Sequence, residues 1–181
     1  VWKEHHITWP IAERLELIVR GLNRPQPKAW DALVHATSIM EVEMPPDIIE
    51  DCLKTLQILS KDYQLAIVSD AIVTPGMELR RLLGNHQIVD YFSAFAFSDE
   101  IGHSKPHPDM FTTVLREMKL SPREVVHIGD RDHNDIKGAQ AMGMKAILFT
   151  ATRDIDATTT SADATCNSYP DLLDTIRNLN S

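Results

Sequence analysis

A short apolar run that ends in a glycine-aspartate turn constrains the fold of this chain more than any other feature. Residues 125–128 read Val-Val-His-Ile, which is typical of a short buried strand, and Gly129 permits a sharp turn that presents Asp130 at the strand end. Asp132 and Asp135 follow closely. Because ligands of open α/β sheets bind outside the carboxyl ends of the strands, this stretch predicts a parallel α/β fold with a polar site at that edge.

The carboxylates of this turn suit a magnesium ion. Mg²⁺ takes hard oxygen ligands, keeps several waters and is usually held by one or two carboxylates together with a substrate phosphate. We therefore predict Asp130 as the first metal ligand. Residues 136–143 have helical spacing and end at a glycine, so Asp135 lies near a helix N-terminus and is either a second ligand or a helix cap. Asp132 is a further acid that could supplement the metal site.

A second strand with a polar end lies upstream. Residues 65–68 are apolar and are followed by Ser69 and Asp70, after which residues 75–76, Pro-Gly, open a predicted helix. A hydroxyl at a strand end, beside the N–H groups of a helix start, can bind a phosphate. Ser69 could instead cap the following helix. We predict Ser69 and Asp70 as substrate-binding residues.

A single lysine precedes two closely spaced prolines. The segment 102–111 reads Gly-His-Ser-Lys-Pro-His-Pro-Asp-Met-Phe, and its second proline is placed to begin a helix. Because the two prolines restrict this backbone, Lys105 has fewer accessible conformations than a lysine on the protein surface. The compact positive charge of its ammonium group can offset the negative charge of a phosphoryl group or of a carboxylate nucleophile. We predict a catalytic and substrate-binding role for Lys105 and assign none to the flanking His103 and His107.

The order of these features resembles three motifs of the haloacid dehalogenase-like hydrolases. The chain has an apolar strand followed by serine, then a Lys-Pro-x-Pro helix start, then a strand followed by Gly-Asp-x-x-x-x-Asp. The resemblance spans roughly residues 65–149 and points to members with a small helical cap. Three motifs in the expected order and spacing are far more specific than any one of them.

The resemblance implies both an activity and a set of roles. It implies Mg²⁺-dependent hydrolysis of small phosphate monoesters through an aspartyl-phosphate intermediate. Ser69 would bind the transferring phosphoryl group, Lys105 would steady the nucleophile and the phosphate, and Asp130, together with Asp135, would hold Mg²⁺. Ser69 and Lys105 are thus the expected catalytic residues, and the expected partner is a small phosphorylated metabolite.

One motif of the family is missing. The family's first strand carries Asp-x-Asp-x-Thr/Val, which supplies the nucleophile, and nothing before Ser69 matches it. We expect that an N-terminal segment bearing this strand is absent from the sequence. Residues 154–158 do read Asp-Ile-Asp-Ala-Thr, but four residues separate them from the predicted strand 146–149, whereas a nucleophile belongs at a strand end. We interpret that match as chance.

Two other interpretations remain open. The chain could be a complete, non-catalytic relative that binds phosphate and metal, although an empty strand position would leave backbone groups of both neighbouring strands unpaired. A phosphomutase or a dehalogenase of the same superfamily is the second alternative. The glycine-aspartate turn argues against the dehalogenases, which use no metal and typically lack it.

The chain divides into two predicted parts. Residues 1–60 contain three helical patterns without a strand and are predicted to form a helical cap subdomain. Residues 61–181 alternate strands and helices, which predicts a three-layer, Rossmann-like parallel sheet as the core. The predicted strands are 65–68, 94–97, 125–128 and 146–149, with a short last strand around 165–166.

Composition excludes several classes of protein. The net charge of -8 and the lack of a basic cluster argue against nucleic acid as a partner. No apolar run approaches the length of a membrane span, so no membrane partner is expected. Cys52 and Cys166 are far apart, which predicts reduced thiols and a cytoplasmic protein. The sequence does not determine the oligomeric state.

Overall fold

The N-terminal part of the chain is helical. The computed structural model describes residues 5–179, so the first four residues of the predicted cap and the last two of the predicted core lie outside the described residues. The helices are α1 (Ile11–Gly21), α2 (Trp30–Ser38), the short α3 (Met40–Glu43) and α4 (Cys52–Asp62). The three helical patterns predicted within residues 1–60 correspond to α1, α2 and α4.

Strands and helices alternate in the rest of the chain. The elements are β1 (Leu65–Ser69), α5 (Gly76–Asn85), β2 (Phe92–Phe97), the short α6 (Ser98–Ile101), α7 (Pro108–Met118), β3 (Val126–Gly129), a π-helical turn (Asp132–Ile136) that continues into α8 (Lys137–Ala141), β4 (Lys145–Phe149), β5 (Ala164–Cys166) and α9 (Tyr169–Leu179). The prediction of a mixed α/β fold with parallel strands is confirmed, and α7 begins at the predicted proline.

The parallel strands form two separate pieces rather than the single sheet that the alternation predicts. β1 pairs with β2, and β3 pairs with β4, which pairs with β5; every pairing is parallel. Within residues 5–179, β1 and β3 are each paired along one edge only. The two pieces therefore each end in an open strand edge.

Helices cover both faces of the three-stranded piece, and β4 shows how the layers form. Its Ala146 and Leu148 pack with residues of α7 and α8 on one face, whereas Ile147 and Phe149 pack with residues of α4 and α9 on the other. All four side chains are buried. Because successive strand residues point to opposite faces, this apolar run forms the centre of a three-layer structure.

The last of the N-terminal helices packs against the core. Cys52, Leu56 and Leu59 of α4 are buried in clusters with Leu65 of β1 and with residues of α9. The helix begins at Cys52, directly after Asp51, whose backbone is left-handed with φ of 59°. The domain boundary at residue 60 stays a prediction.

The remaining expectations concern cysteines and membranes. Cys52 and Cys166 are both buried and free, as predicted. No helix in the described part of the chain is long and apolar enough to cross a membrane.

Candidate functional site

Lys105 connects the carboxyl ends of the two sheet pieces. Its Nζ donates to the backbone oxygen of Val68 in β1 at 2.9 Å and to Oδ1 of Asp135, beyond the end of β3, at 2.6 Å. The Lys105 side chain is 12% exposed and that of Asp135 is 3% exposed. The ends of β1 and β3 therefore meet at one edge, with a nearly buried cation between them.

The Asp135 carboxylate is held ionised by the groups around it. Burial alone would raise the pKa of Asp135, but the hydrogen bond from His127 and the charge of Lys105 outweigh it and hold the pKa well below its usual range. Its Oδ2 also accepts a hydrogen bond from the backbone N–H of Arg131 at 3.1 Å. Asp135 thus closes its own turn and anchors Lys105. Its role as a metal ligand stays a prediction.

His127 is a residue that the sequence analysis missed. Its Nε2 lies 3.0 Å from Oδ1 of Asp135, and burial lowers the pKa of the imidazole despite that carboxylate. We therefore assign it as neutral at pH 7, with the Nε2 hydrogen donated to Asp135. The sequence feature that could have revealed His127 is its place as a lone polar residue inside the apolar run that forms β3.

Gly129 allows Asp135 to approach the end of β3. A Cβ atom at this position would lie 2.3 Å from the Cγ of Asp135, far inside the normal contact distance. The glycine is needed for this close approach as well as for the turn that the sequence predicted. Any larger residue would displace the carboxylate that holds Lys105.

Asp70 stabilises the same edge from the β1 side. Its Oδ1 accepts a hydrogen bond from the backbone N–H of Lys105 at 2.8 Å, and its Oδ2 accepts one from the Asn134 amide at 3.3 Å. Both carboxylate oxygens thus bind groups of the chain. The geometry favours a positioning role, and the prediction that Asp70 binds substrate stays untested.

Ser69 and Asp130 have polar groups available for a ligand. Ser69 is the last residue of β1, and Asp130 directly follows β3. Among residues 5–179, no hydrogen bond reaches the Ser69 hydroxyl or the Asp130 carboxylate, and both residues are only partly exposed. The arrangement offers a hydroxyl, an ammonium group and a free carboxylate at one sheet edge. This set fits a phosphate with a divalent cation.

Asp132 is held by the chain. Its carboxylate accepts hydrogen bonds from Thr160 at 2.7 Å and from the backbone N–H of Ser161 at 3.1 Å, and it pairs with Lys137 at 2.7 Å. The hydrogen bond from Lys137 is the main cause of the lowered pKa of Asp132. Asp132 therefore fixes the loop after β4 to the turn after β3, and it offers little to a metal ion.

The aspartates that match the nucleophile pattern lie in that loop. Asp154 and Asp156 are in the irregular segment between β4 and β5, as expected for a chance match. Asp156 accepts hydrogen bonds from Arg153 at 2.5 Å and from the backbone N–H of Asp132 at 3.1 Å. Arg153 also donates to the backbone oxygen of Asp130 at 2.9 Å. Asp156 is thus a structural partner of the Asp130 turn.

A cleft of about 500 Å³ separates the open edges of β1 and β3. All five residues of β1 line it, and so do Val126 to Ile128 of β3. Phe111 of α7 lies on one side and Leu172 of α9 on the other. The apolar sequence of β3 is typical of a buried strand, but its Ile128 is 36% exposed because it faces this cleft. The cleft is apolar on both faces and extends to Val68, whose backbone oxygen accepts a hydrogen bond from Lys105.

Comparison with known proteins identifies the family. The sequence profile described as "Haloacid dehalogenase-like hydrolase" matches residues 14–149. The glyceraldehyde 3-phosphate phosphatase of Methanopyrus kandleri is 30% identical over 151 residues, which are 81% of this chain and 61% of that protein. The phosphoglycolate phosphatase of Escherichia coli K12 is 31% identical over 102 residues, 56% of this chain and 38% of that protein. The chain thus spans only part of the length of these relatives.

Solved structures agree in fold. A predicted phosphoglycolate phosphatase from Haemophilus somnus has a TM-score of 0.69 at 18% identity, covering 91% of this chain and 75% of that one. A HAD phosphatase from Thermococcus onnurineus has a TM-score of 0.63 at 20% identity, covering 92% and 87%. Identities this low are evidence for the fold alone. The profile match over most of the chain establishes that this protein belongs to the haloacid dehalogenase-like hydrolase family.

Proposed function

We propose that the chain is the phosphate- and metal-binding part of a Mg²⁺-dependent phosphatase that acts on small phosphorylated metabolites. The observation that carries the proposal is the position of Lys105, a nearly buried cation between β1 and Asp135. Ser69 ends β1 and Asp130 follows β3, and neither side chain forms a hydrogen bond with the described residues. The phosphatase names of the relatives point to the same substrate class.

Each residue has a distinct role in this proposal. The Ser69 hydroxyl donates a hydrogen bond to a phosphoryl oxygen, and the Lys105 ammonium offsets the negative charge that the phosphoryl group brings. Asp135, His127 and Asp70 hold Lys105 in place. Asp130 is the primary ligand of Mg²⁺, and Asp135 is the candidate for a second. When bound, Mg²⁺ would supply the charge that stabilises the phosphoryl oxygens.

The nucleophile belongs in the cleft between β1 and β3. A parallel strand there would pair with both open edges, satisfy their backbone N–H and C=O groups and fill an apolar space. Its carboxyl end would lie near Lys105, where an aspartate could attack phosphorus and form an aspartyl-phosphate. We propose that this strand comes from a segment of the natural protein outside the present sequence.

The reaction class is tested by following two products in one assay. The natural gene product is incubated with p-nitrophenyl phosphate, with a panel of phosphorylated metabolites and with 2-haloacids, in MgCl₂ or in EDTA. We expect phosphate release that depends on Mg²⁺ and no halide release. Halide release without a metal would replace the proposal with the dehalogenase alternative. Phosphate binding without turnover of any substrate would support the non-catalytic alternative.

A further inference from the structure

Three potential metal ligands lie together on the loop that carries Lys105, at the start of α7. One ligand atom from each of His103, His107 and Asp109 lies within 4.8 Å of the other two. Nδ1 of His103 lies 3.2 Å from Oδ2 of Asp109, and Nδ1 of His107 lies 3.6 Å from the same oxygen. None of these side chains contacts Asp130 or Asp135 in the described part of the chain.

Ordinary hydrogen bonding does not account for this cluster. The Nδ1 atom of His103 is buried and makes no hydrogen bond within the described residues, despite its distance of 3.2 Å from Asp109. The Nδ1 atom of His107 accepts a bond from the Asp109 backbone N–H, but at 3.3 Å this bond is long. A buried imidazole nitrogen without a hydrogen bond carries a free-energy cost that a bound cation would remove.

The donor spacing matches a tetrahedral ion. Zinc bonds of about 2.0–2.2 Å to nitrogen and oxygen place neighbouring ligand atoms about 3.4 Å apart. The two measured separations, 3.2 and 3.6 Å, bracket that value. Two imidazoles with one carboxylate form a ligand set that zinc commonly uses, with a fourth position left for water.

The backbone of the cluster is already restrained. His103 pairs with Ile7 in an antiparallel bridge, and the Ser104 hydroxyl lies 2.6 Å from that of Thr8. The imidazole rings of His103 and His107 are stacked 3.6 Å apart and nearly parallel. One ring must therefore turn before both lone pairs point at one ion. The outer torsion of histidine is broad, so this turn costs little.

We infer that His103, His107 and Asp109 form a zinc-binding site, separate from the magnesium site proposed at Asp130. The ion fixes the two histidines that flank Lys105 and ties this loop to the first turn of α7. The site does not depend on the proposed phosphatase activity, because its ligands lie on one continuous segment. It therefore forms in the present chain with or without a strand in the cleft.

Isothermal titration of ZnCl₂ into the untagged full chain tests the site, in the presence of excess MgCl₂. We expect one zinc ion per chain. His103→Gln and Asp109→Asn should each weaken binding by at least about tenfold, the scale of effects seen even for residues that only support ligands. His35→Gln, an exposed histidine of α2, is the matched control and should bind as the wild type does. Absence of binding overturns the inference.

A second set of variants distinguishes zinc binding at this site from zinc binding at the carboxylate turn of Asp130. If Asp130→Asn removes zinc binding while His103→Gln leaves it intact, zinc occupies the proposed magnesium site and the inference is wrong. Modification of the wild-type chain with diethyl pyrocarbonate, mapped by mass spectrometry, needs no variant to fold. Zinc should protect His103 and His107 and leave the reactivity of His35 unchanged. Equal reactivity with and without zinc also contradicts the site.

Discussion

The ammonium nitrogen of Lys105 lies 2.6 Å from Oδ1 of Asp135, in a position where neither side chain is freely solvated. Lys105 also reaches the backbone oxygen of Val68. The pair therefore connects the two sheet pieces at the edge where a phosphate would bind. Its contribution to stability and its contribution to function can be measured separately.

Replacing the cation of this pair should destabilise the fold. Lys105→Met leaves the Asp135 carboxylate buried without its main countercharge, and breaking a buried pair in this way costs about 3–5 kcal/mol. The free energy of unfolding in urea, measured in EDTA, tests this. Lys137→Met breaks an ion pair with a lysine that is 59% exposed, so it is the control, with a loss of at most about 1 kcal/mol.

The double variant Lys105→Met/Asp135→Asn refines this test. It removes both charges, so it should recover part of the stability lost in the single variant. A single variant that loses less than about 1 kcal/mol would contradict the importance assigned to the pair.

His127 should make the free energy of unfolding depend on pH from about 7 downwards. Burial lowers its pKa in the folded state, so the unfolded state, with a pKa near 6.5, takes up the proton first as the pH falls. The free energy of unfolding should therefore decrease as the pH is lowered through this range. His127→Gln keeps a donor for Asp135 but does not titrate, so its slope should be flatter.

Urea unfolding at several pH values, in EDTA, measures this slope. The control is His35→Gln, which changes an exposed histidine of α2 and should keep the wild-type slope. An unchanged slope in His127→Gln would show that His127 is not buried as a neutral group.

A methyl group at Gly129 should disturb the site directly. Gly129→Ala places a Cβ against Asp135, and such overpacking typically costs about 1–3 kcal/mol. Thermal unfolding gives the loss of stability. Gly21→Ala is the matched control, because a Cβ built there meets nothing within 4 Å beyond its chain neighbours and its own helix backbone. Equal stabilities for the two variants would contradict the close approach of Asp135 to β3.

The open edges of β1 and β3 should be visible in hydrogen exchange. In the present chain, the amide groups of residues 65–69 that point to β2 should be protected, and those that point into the cleft should exchange much faster. A longer natural product that fills the cleft should protect both sets. Uniform protection in the present chain would mean that the cleft is closed in solution.

Much of the fold could be predicted from local patterns. The apolar runs before Ser69 and Gly129 correctly predicted β1 and β3, because short apolar runs bounded by turn residues are typical of buried parallel strands. The prolines after Lys105 correctly predicted the start of α7. These patterns did not predict the split of the sheet, which instead matches the empty position expected where the family's first strand is missing.

The candidate site was only partly predictable, because it depends on contacts between distant segments. The sequence placed Lys105 and Asp135 in one site, but their direct contact depends on how α7 and the π-helical turn meet. His127 was read as a strand residue, since periodicity does not reveal that its ring reaches Asp135. Asp135 could be either a ligand or a cap from its position alone; the structure adds a role as the anchor of Lys105.

The proposed role of Asp130 as the metal ligand of a phosphatase site can be tested with three forms of the natural gene product. The rate of phosphate release by the natural gene product in saturating Mg²⁺ is measured for the wild type, for Asp130→Asn and for Asp154→Asn. Asp154 is exposed and lies in the chance match to the nucleophile pattern. We expect a loss of at least about 100-fold for Asp130→Asn, the scale for removing one stabilising group from an active site, and an unchanged rate for Asp154→Asn. A fully active Asp130→Asn variant, or an inactive Asp154→Asn variant, would contradict this expectation.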